Sequence, residues 1–104
     1  MKRIIIDSAV EEFENYLRFE EKSENTIQKY IRDVRFLREF ASVREISKTL
    51  AIEFKAYLAE KYELSSANSM IAAVNAFFRF LGWGELCIKQ FKIQRKGFCS
   101  EERE

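Results

Sequence analysis

Ser23-Glu24-Asn25-Thr26-Ile27-Gln28-Lys29-Tyr30-Ile31-Arg32-Asp33-Val34 is the stretch that decides the fold class. Ile27, Tyr30, Ile31 and Val34 recur at steps of three and four, and Leu37 and Ala41 continue the series. That period belongs to one face of an α-helix and not to a strand. Ser23 is a natural N-cap, so the spacing predicts a helix over residues 24–41 with Lys29, Arg32 and Arg35 on its other face.

The same period appears on both sides of this stretch. Val10, Phe13 and Leu17 predict a helix over 8–21, with Asp7 or Ser8 as cap and Glu11 placed for a capping box. Ala51, Phe54, Leu58 and Tyr62 predict a third over 48–62, capped by Ser47 or Thr49. Ala67, Met70, Ile71, Val74, Phe77, Phe78 and Leu81 predict a fourth over 66–81, capped by Ser65 and stopped by Gly82 in a left-handed conformation. The connections are short, as between neighbouring helices of a bundle. The fold class is therefore all-α, a compact bundle of four main helices. Beyond Gly84 the helical stripe stops. Lys89 to Gly97 reads as an extended basic linker and Cys99 to Glu104 as an acidic end. The chain divides into an N-terminal extension (1–7), a helical domain (8–86) and a C-terminal segment (87–104).

At 104 residues the chain is one domain. It has no Pro, and its three Gly all lie at or after residue 82, so the early helix boundaries depend on caps and polar turns. No apolar run approaches the roughly 20 residues of a membrane span, and Ile4-Ile5-Ile6 is too short for a signal-peptide core. With Cys87 and Cys99 as its two cysteines, the sequence reads as cytoplasmic, with no membrane partner.

The absence of His excludes the usual Ser-His and Cys-His nucleophile systems and completes no zinc site. No glycine-rich phosphate loop occurs, and no cationic pocket is evident that would activate either thiol. Glu20 and Glu21 read as a solvated edge, not a catalytic dyad. The sequence thus offers no catalytic residue, metal ligand or cofactor site. A net charge of +1 is uninformative, but its distribution is not: residues 7–21 carry six acids and one base, residues 85–98 four bases and one acid.

Two helix beginnings are dense in short hydrogen-bonding side chains: Lys22, Ser23, Asn25, Thr26 and Lys29 at one, Ser65, Ser66, Asn68 and Ser69 at the other. Free N–H groups and the positive dipole end make such a terminus a phosphate site; simple capping accounts for the same residue types. Beside the second beginning, Ser65, Ser69, Ala72, Ala73 and Ala76 form a stripe of small residues that suits close approach to DNA or to a neighbouring helix.

In order and spacing, Ser23-Glu24-Asn25-Thr26-Ile27-x-x-Tyr30-x-x-Asp33-Val34-x-Phe36-Leu37 resembles the opening motif of the core-binding (SAM-like) domain of tyrosine recombinases and phage integrases. Ile46-Ser47 with Phe54 and Tyr57-Leu58 resembles the family's third helix, and Leu64-Ser65-Ser66-Ala67-Asn68-Ser69 through Leu81 its fourth. The likeness covers about residues 8–85. The sequence departs from the family where Ser66 replaces a frequent Pro and where an Asn-Pro pair after the bundle is missing.

The resemblance implies a module that grips a recombination site in double-stranded DNA, while the family's catalytic residues belong to a later domain. Its second and fourth helices would lie at the major groove. Its basic linker, with Lys92, Arg95 and Lys96, would cross the backbone and enter the catalytic domain. Its first helix would serve contacts with other recombinase protomers, the isolated module being a monomer or weak dimer. A helical protein–protein interaction domain is the rival reading. It is distinguished by an exposed apolar groove in place of a basic strip that joins Lys22, Lys29, Arg32 and the start of the fourth helix.

Overall fold

The computed structural model describes residues 3–92. Four helices follow one another: α1 (Asp7–Phe19), α2 (Glu24–Ala41), α3 (Lys48–Lys61) and α4 (Leu64–Phe80). A single 3-10 turn, Gly84–Leu86, closes the series, and no strand occurs among the described residues. α2 packs on both α1 and α4, and α3 lies against α4.

The apolar stripes meet in one core. Phe13 of α1, Val34 and Leu37 of α2, Phe54 and Leu58 of α3, and Ile71, Val74, Phe77 and Phe78 of α4 are fully buried. Phe13 meets Phe77 edge-on, with ring centroids 5.1 Å apart. Burying such side chains is the main stabilising term, at roughly 1.5–3 kcal/mol each. The core also takes in residues outside the helical stripes. Ile5, Ile46, Leu86 and Ile88 are all buried, and the Ile46 N–H donates to the Arg3 carbonyl across 2.7 Å. Packing thus reaches on both sides beyond residues 8–86.

Two caps form as the sequence indicates. The Ser23 hydroxyl accepts from the Thr26 N–H at 3.2 Å, and the Ser47 hydroxyl from the Leu50 N–H at 3.1 Å. Two do not. α1 begins one residue early, with Ile6 at the cap position and no side-chain cap bond; the Asp7 carboxylate instead pairs with Arg38 of α2. α4 also begins early, because the extended residue is Glu63 and not Ser65, and a hydroxyl can cap only from that extended position. Tyr62 lies past the end of α3 in extended backbone and is exposed, so it drops out of the predicted core stripe.

The helix ends follow one pattern twice. After α4, Gly82 takes φ 78°, its N–H donates to Arg79 O, and the Trp83 N–H donates to Phe78 O at 2.7 Å. This is a Schellman stop, and its apolar contact is the Phe78–Trp83 ring pair. After α1, Glu21 takes φ 62°, with Glu21 N–H to Arg18 O and Lys22 N–H to Leu17 O. Here the same motif holds a residue with a Cβ, which α1 tolerates at some cost in backbone energy.

Candidate nucleic-acid interface

α2 and α4 pack so that the N-terminal turns of α2 face the middle of α4. Asn25, Thr26, Lys29 and Tyr30 on one side and Ser69 and Ala72 on the other line a cleft of about 280 Å³. A second hollow of about 590 Å³ shares Tyr30 and includes Lys22, Ala76 and Arg79 over an aromatic floor of Phe13, Tyr16 and Phe80. Ser69, Ala72, Ala76 and Arg79 step by three and four along one face of α4. Small side chains at Ala72 and Ala76 line this furrow, and the second hollow carries two cations, Lys22 and Arg79, beside one acid, Glu20. Sequence reasoning named the alanines only as a smooth face and missed Arg79 and Tyr30. The helical period of α4 was the available signal, since it sets Arg79 in line with Ser69.

The structure separates the remaining candidate residues by what their side chains already do. The Ser23 and Thr26 hydroxyls bond each other at 3.0 Å as part of the cap. Lys29 is not on an open polar face: its Nζ donates to the Ser69 carbonyl at 2.6 Å and lies 2.6 Å from Asp33 Oδ2. Asp33 is 1 % exposed. The contact is an ion pair more than an aligned hydrogen bond, and Arg32 Nε is a second cation at 3.7 Å. Lys29 thus staples α2 to α4 at the bottom of the cleft.

Arg32 and Arg35 line a different hollow, of about 410 Å³, with Gln28, Phe36, Tyr62 and Met70. Ser65 and Ser66 are exposed in the first turn of α4, where no side chain caps the helix. The Asn68 carboxamide is held by the backbone of Phe91. Lys92 is exposed, and Arg95 and Lys96 lie outside the described residues. Cys87 sits beside a cation that the sequence did not reveal, with Arg79 Nη1 at 3.8 Å from its sulfur.

Other charges form surface pairs. Arg18 bridges Glu14 and Glu24 at 2.6 and 2.7 Å. Its hydrogen bond to Glu24, aided by Gln28, lowers the Glu24 carboxyl below its ordinary value. The Arg38 guanidinium lowers that of Asp7. No cluster of His, Cys, Asp or Glu fit to hold a metal occurs among the described residues, and no described helix is long and apolar enough to cross a membrane.

Residues 10–85 match the family model described as phage integrase, N-terminal SAM-like domain. The chain is 38% identical over 81 residues to the tyrosine recombinase XerA of Thermococcus onnurineus (strain NA1), a span of 77% of this chain and 28% of that protein. It is 36% identical over 77 residues to the tyrosine recombinase XerA of Thermococcus kodakarensis, 73% of this chain and 27% of that protein. The aligned part thus spans a little over a quarter of those relatives. No solved structure gives a comparable match. The family match, which runs from within α1 into the 3-10 turn, together with these relatives places the chain in one family: it belongs to the phage integrase N-terminal SAM-like domains, the helical module of tyrosine recombinases.

Proposed function

We propose that this chain is the DNA-gripping module of a site-specific tyrosine recombinase, holding the recombination site in the cytoplasm while a separate catalytic domain cuts and rejoins the strands. The observation that carries the reading is the furrow between α2 and α4, where Asn25, Thr26 and Ser69 stand together and Lys22 and Arg79 extend the line. Short polar side chains at a groove reach base edges and phosphates; the first turn of α4, where Ser65 and Ser66 are exposed, suits a phosphate. Lys92, Arg95 and Lys96 follow as backbone contacts. Asn68 and Lys29 act indirectly, their polar ends being tied to the Phe91 backbone and to Asp33. The partners are double-stranded DNA and other protomers on the same DNA. For the latter, the acidic α1 offers Phe19, 83% exposed.

Fluorescence-anisotropy titration of a labelled random duplex at several salt concentrations tests the reading. Binding that weakens with salt is expected, with Lys22→Ala and Arg79→Ala each reducing the magnitude of the negative slope of log K against log salt by about 0.9. Salt-independent binding, or no binding at low salt, refutes it.

A further inference from the structure

α4 carries two asparagines two helical turns apart, and both hold the backbone of the segment that follows the 3-10 turn. Asn75 Nδ2 donates to the Ile88 carbonyl at 2.8 Å, and the Ile88 N–H donates back to Asn75 Oδ1 at 2.9 Å. Asn68 Nδ2 donates to the Phe91 carbonyl at 2.9 Å, and the Phe91 N–H donates to Asn68 Oδ1 at 2.6 Å. Each carboxamide supplies the donor and acceptor that a neighbouring strand would supply. The spacings match. Seven residues of helix advance about 10.5 Å, and three residues of extended chain cover about 10 Å. Register is therefore kept between positions 75 and 68 of the helix and positions 88 and 91 of the segment.

Further contacts close the seam. Gln90 Nε2 donates to the Asn68 carbonyl at 2.9 Å, and the Lys48 ammonium donates to the Cys87 carbonyl. Lys55 Nζ stands 4.8 Å from the centre of the Phe91 ring. Ile88 is buried in the core. Because Asn75 pairs with the earlier residue and Asn68 with the later one, the segment runs antiparallel to α4, back towards its N-terminus.

We propose that Asn68 and Asn75 are positioning residues: a two-point clasp that holds residues 88–91 along α4 and delivers Lys92 towards the end of α4 that carries Ser65 and Ser66. The asparagine bonds are to backbone, and the buried Ile88 side chain and the Phe91 ring add packing to the same seam. Its effect on DNA rests on the function proposed above; the clasp itself does not.

Amide hydrogen exchange on the whole chain tests the clasp without DNA. The Ile88 and Phe91 amides are expected to exchange at least about tenfold slower than free chain, and Asn75→Leu or Asn68→Leu to abolish this at the partner residue, since each removes a reciprocal pair of bonds. Unchanged protection in the middle of α2 certifies that the variants fold; Asn68→Ala and Asn75→Ala, which lose both donor and acceptor without adding bulk, serve in place of any leucine variant that does not. Free exchange of both amides in the wild type overturns the clasp. On the random duplex, Asn68→Leu and Lys92→Ala should each weaken binding, and the double variant should bind no worse than the weaker single one. Additive losses overturn the positioning role. If the wild type binds no duplex, the DNA reading fails, and the exchange pattern alone decides the clasp.

Discussion

Lys29→Met separates a supporting role for this lysine from a DNA-contacting one. The ammonium lies 2.6 Å from an Asp33 carboxylate whose side chain is 2% exposed, while the lysine side chain itself is 26% exposed. Methionine keeps the length and apolar stem of the lysine and removes only the charge and its donors, which leaves Asp33 charged and buried. Removing one partner of a buried pair costs about 3–5 kcal/mol, because the remaining charge has lost its compensation. Two features place this site at the low end. Water can enter where Lys29 was partly exposed, and Arg32 Nε, 3.7 Å from the other carboxylate oxygen, provides a second cation. The bond from Lys29 to the Ser69 carbonyl is lost as well. A loss of about 3 kcal/mol lowers the melting temperature of a domain this size by roughly 12–24 °C. Urea unfolding followed by circular dichroism measures it. Asp33→Asn in the Lys29→Met background removes the orphaned charge and should restore at least about 1 kcal/mol. A Lys29→Met chain within about 0.5 kcal/mol of wild type, the level of an ordinary surface change, refutes the staple and returns Lys29 to the solvent face.

The left-handed residues at the two helix stops predict opposite effects. Glu21→Gly should raise stability by about 1 kcal/mol by removing a Cβ from φ 62°. Gly82→Ala should lower it by about 1–2 kcal/mol, a backbone effect only, because no atom lies within 4 Å of the added Cβ. Thermal melts of the two variants check both. Phe77→Ala, at a fully buried site in contact with Phe13, should cost about 3–5 kcal/mol in urea unfolding. The acid limb of stability should follow the surface carboxylates. Asp7 is lowered from 3.8 by Arg38, Glu24 from 4.5 by Arg18, and Glu85 from 4.5 by its own backbone N–H and by Arg3. A carboxylate held below its unfolded value stabilises the fold above that value and loses the contribution as pH falls through the lowered one. Melting temperature should therefore hold from pH 7 to about 5 and decline below about 4.5, less steeply in high salt, which screens exposed pairs.

Much of the architecture was already determined by the sequence. A period of three and four identifies a helical face wherever it occurs, so Val10, Phe13, Ile27, Val34, Phe54, Ile71 and Phe77 could be assigned to a core before any contact was known. Ser23 and Ser47 could be read as caps because a cap is local chemistry, complete within three residues. Gly82 could be read as a stop because only its own backbone is involved. Where two local solutions compete, the sequence does not choose: Ser65 is as good a cap as any, but the backbone turned extended at Glu63, one residue beyond the end of the α3 cap region, and the hydroxyl fell inside the helix. What tertiary structure alone decided are the pairings between faces. The bond from Lys29 to Ser69 spans 40 positions and those of Asn68 to Phe91 span 23. The division of Arg32 from the Asn25–Ser69 cleft depends on the rotation of α2 against its neighbours. A helical period fixes which side of an element is apolar. It carries no information on which polar side chain at the border of that face will find a carbonyl, a carboxylate or water once two helices are packed, and at those borders the candidate interface is built.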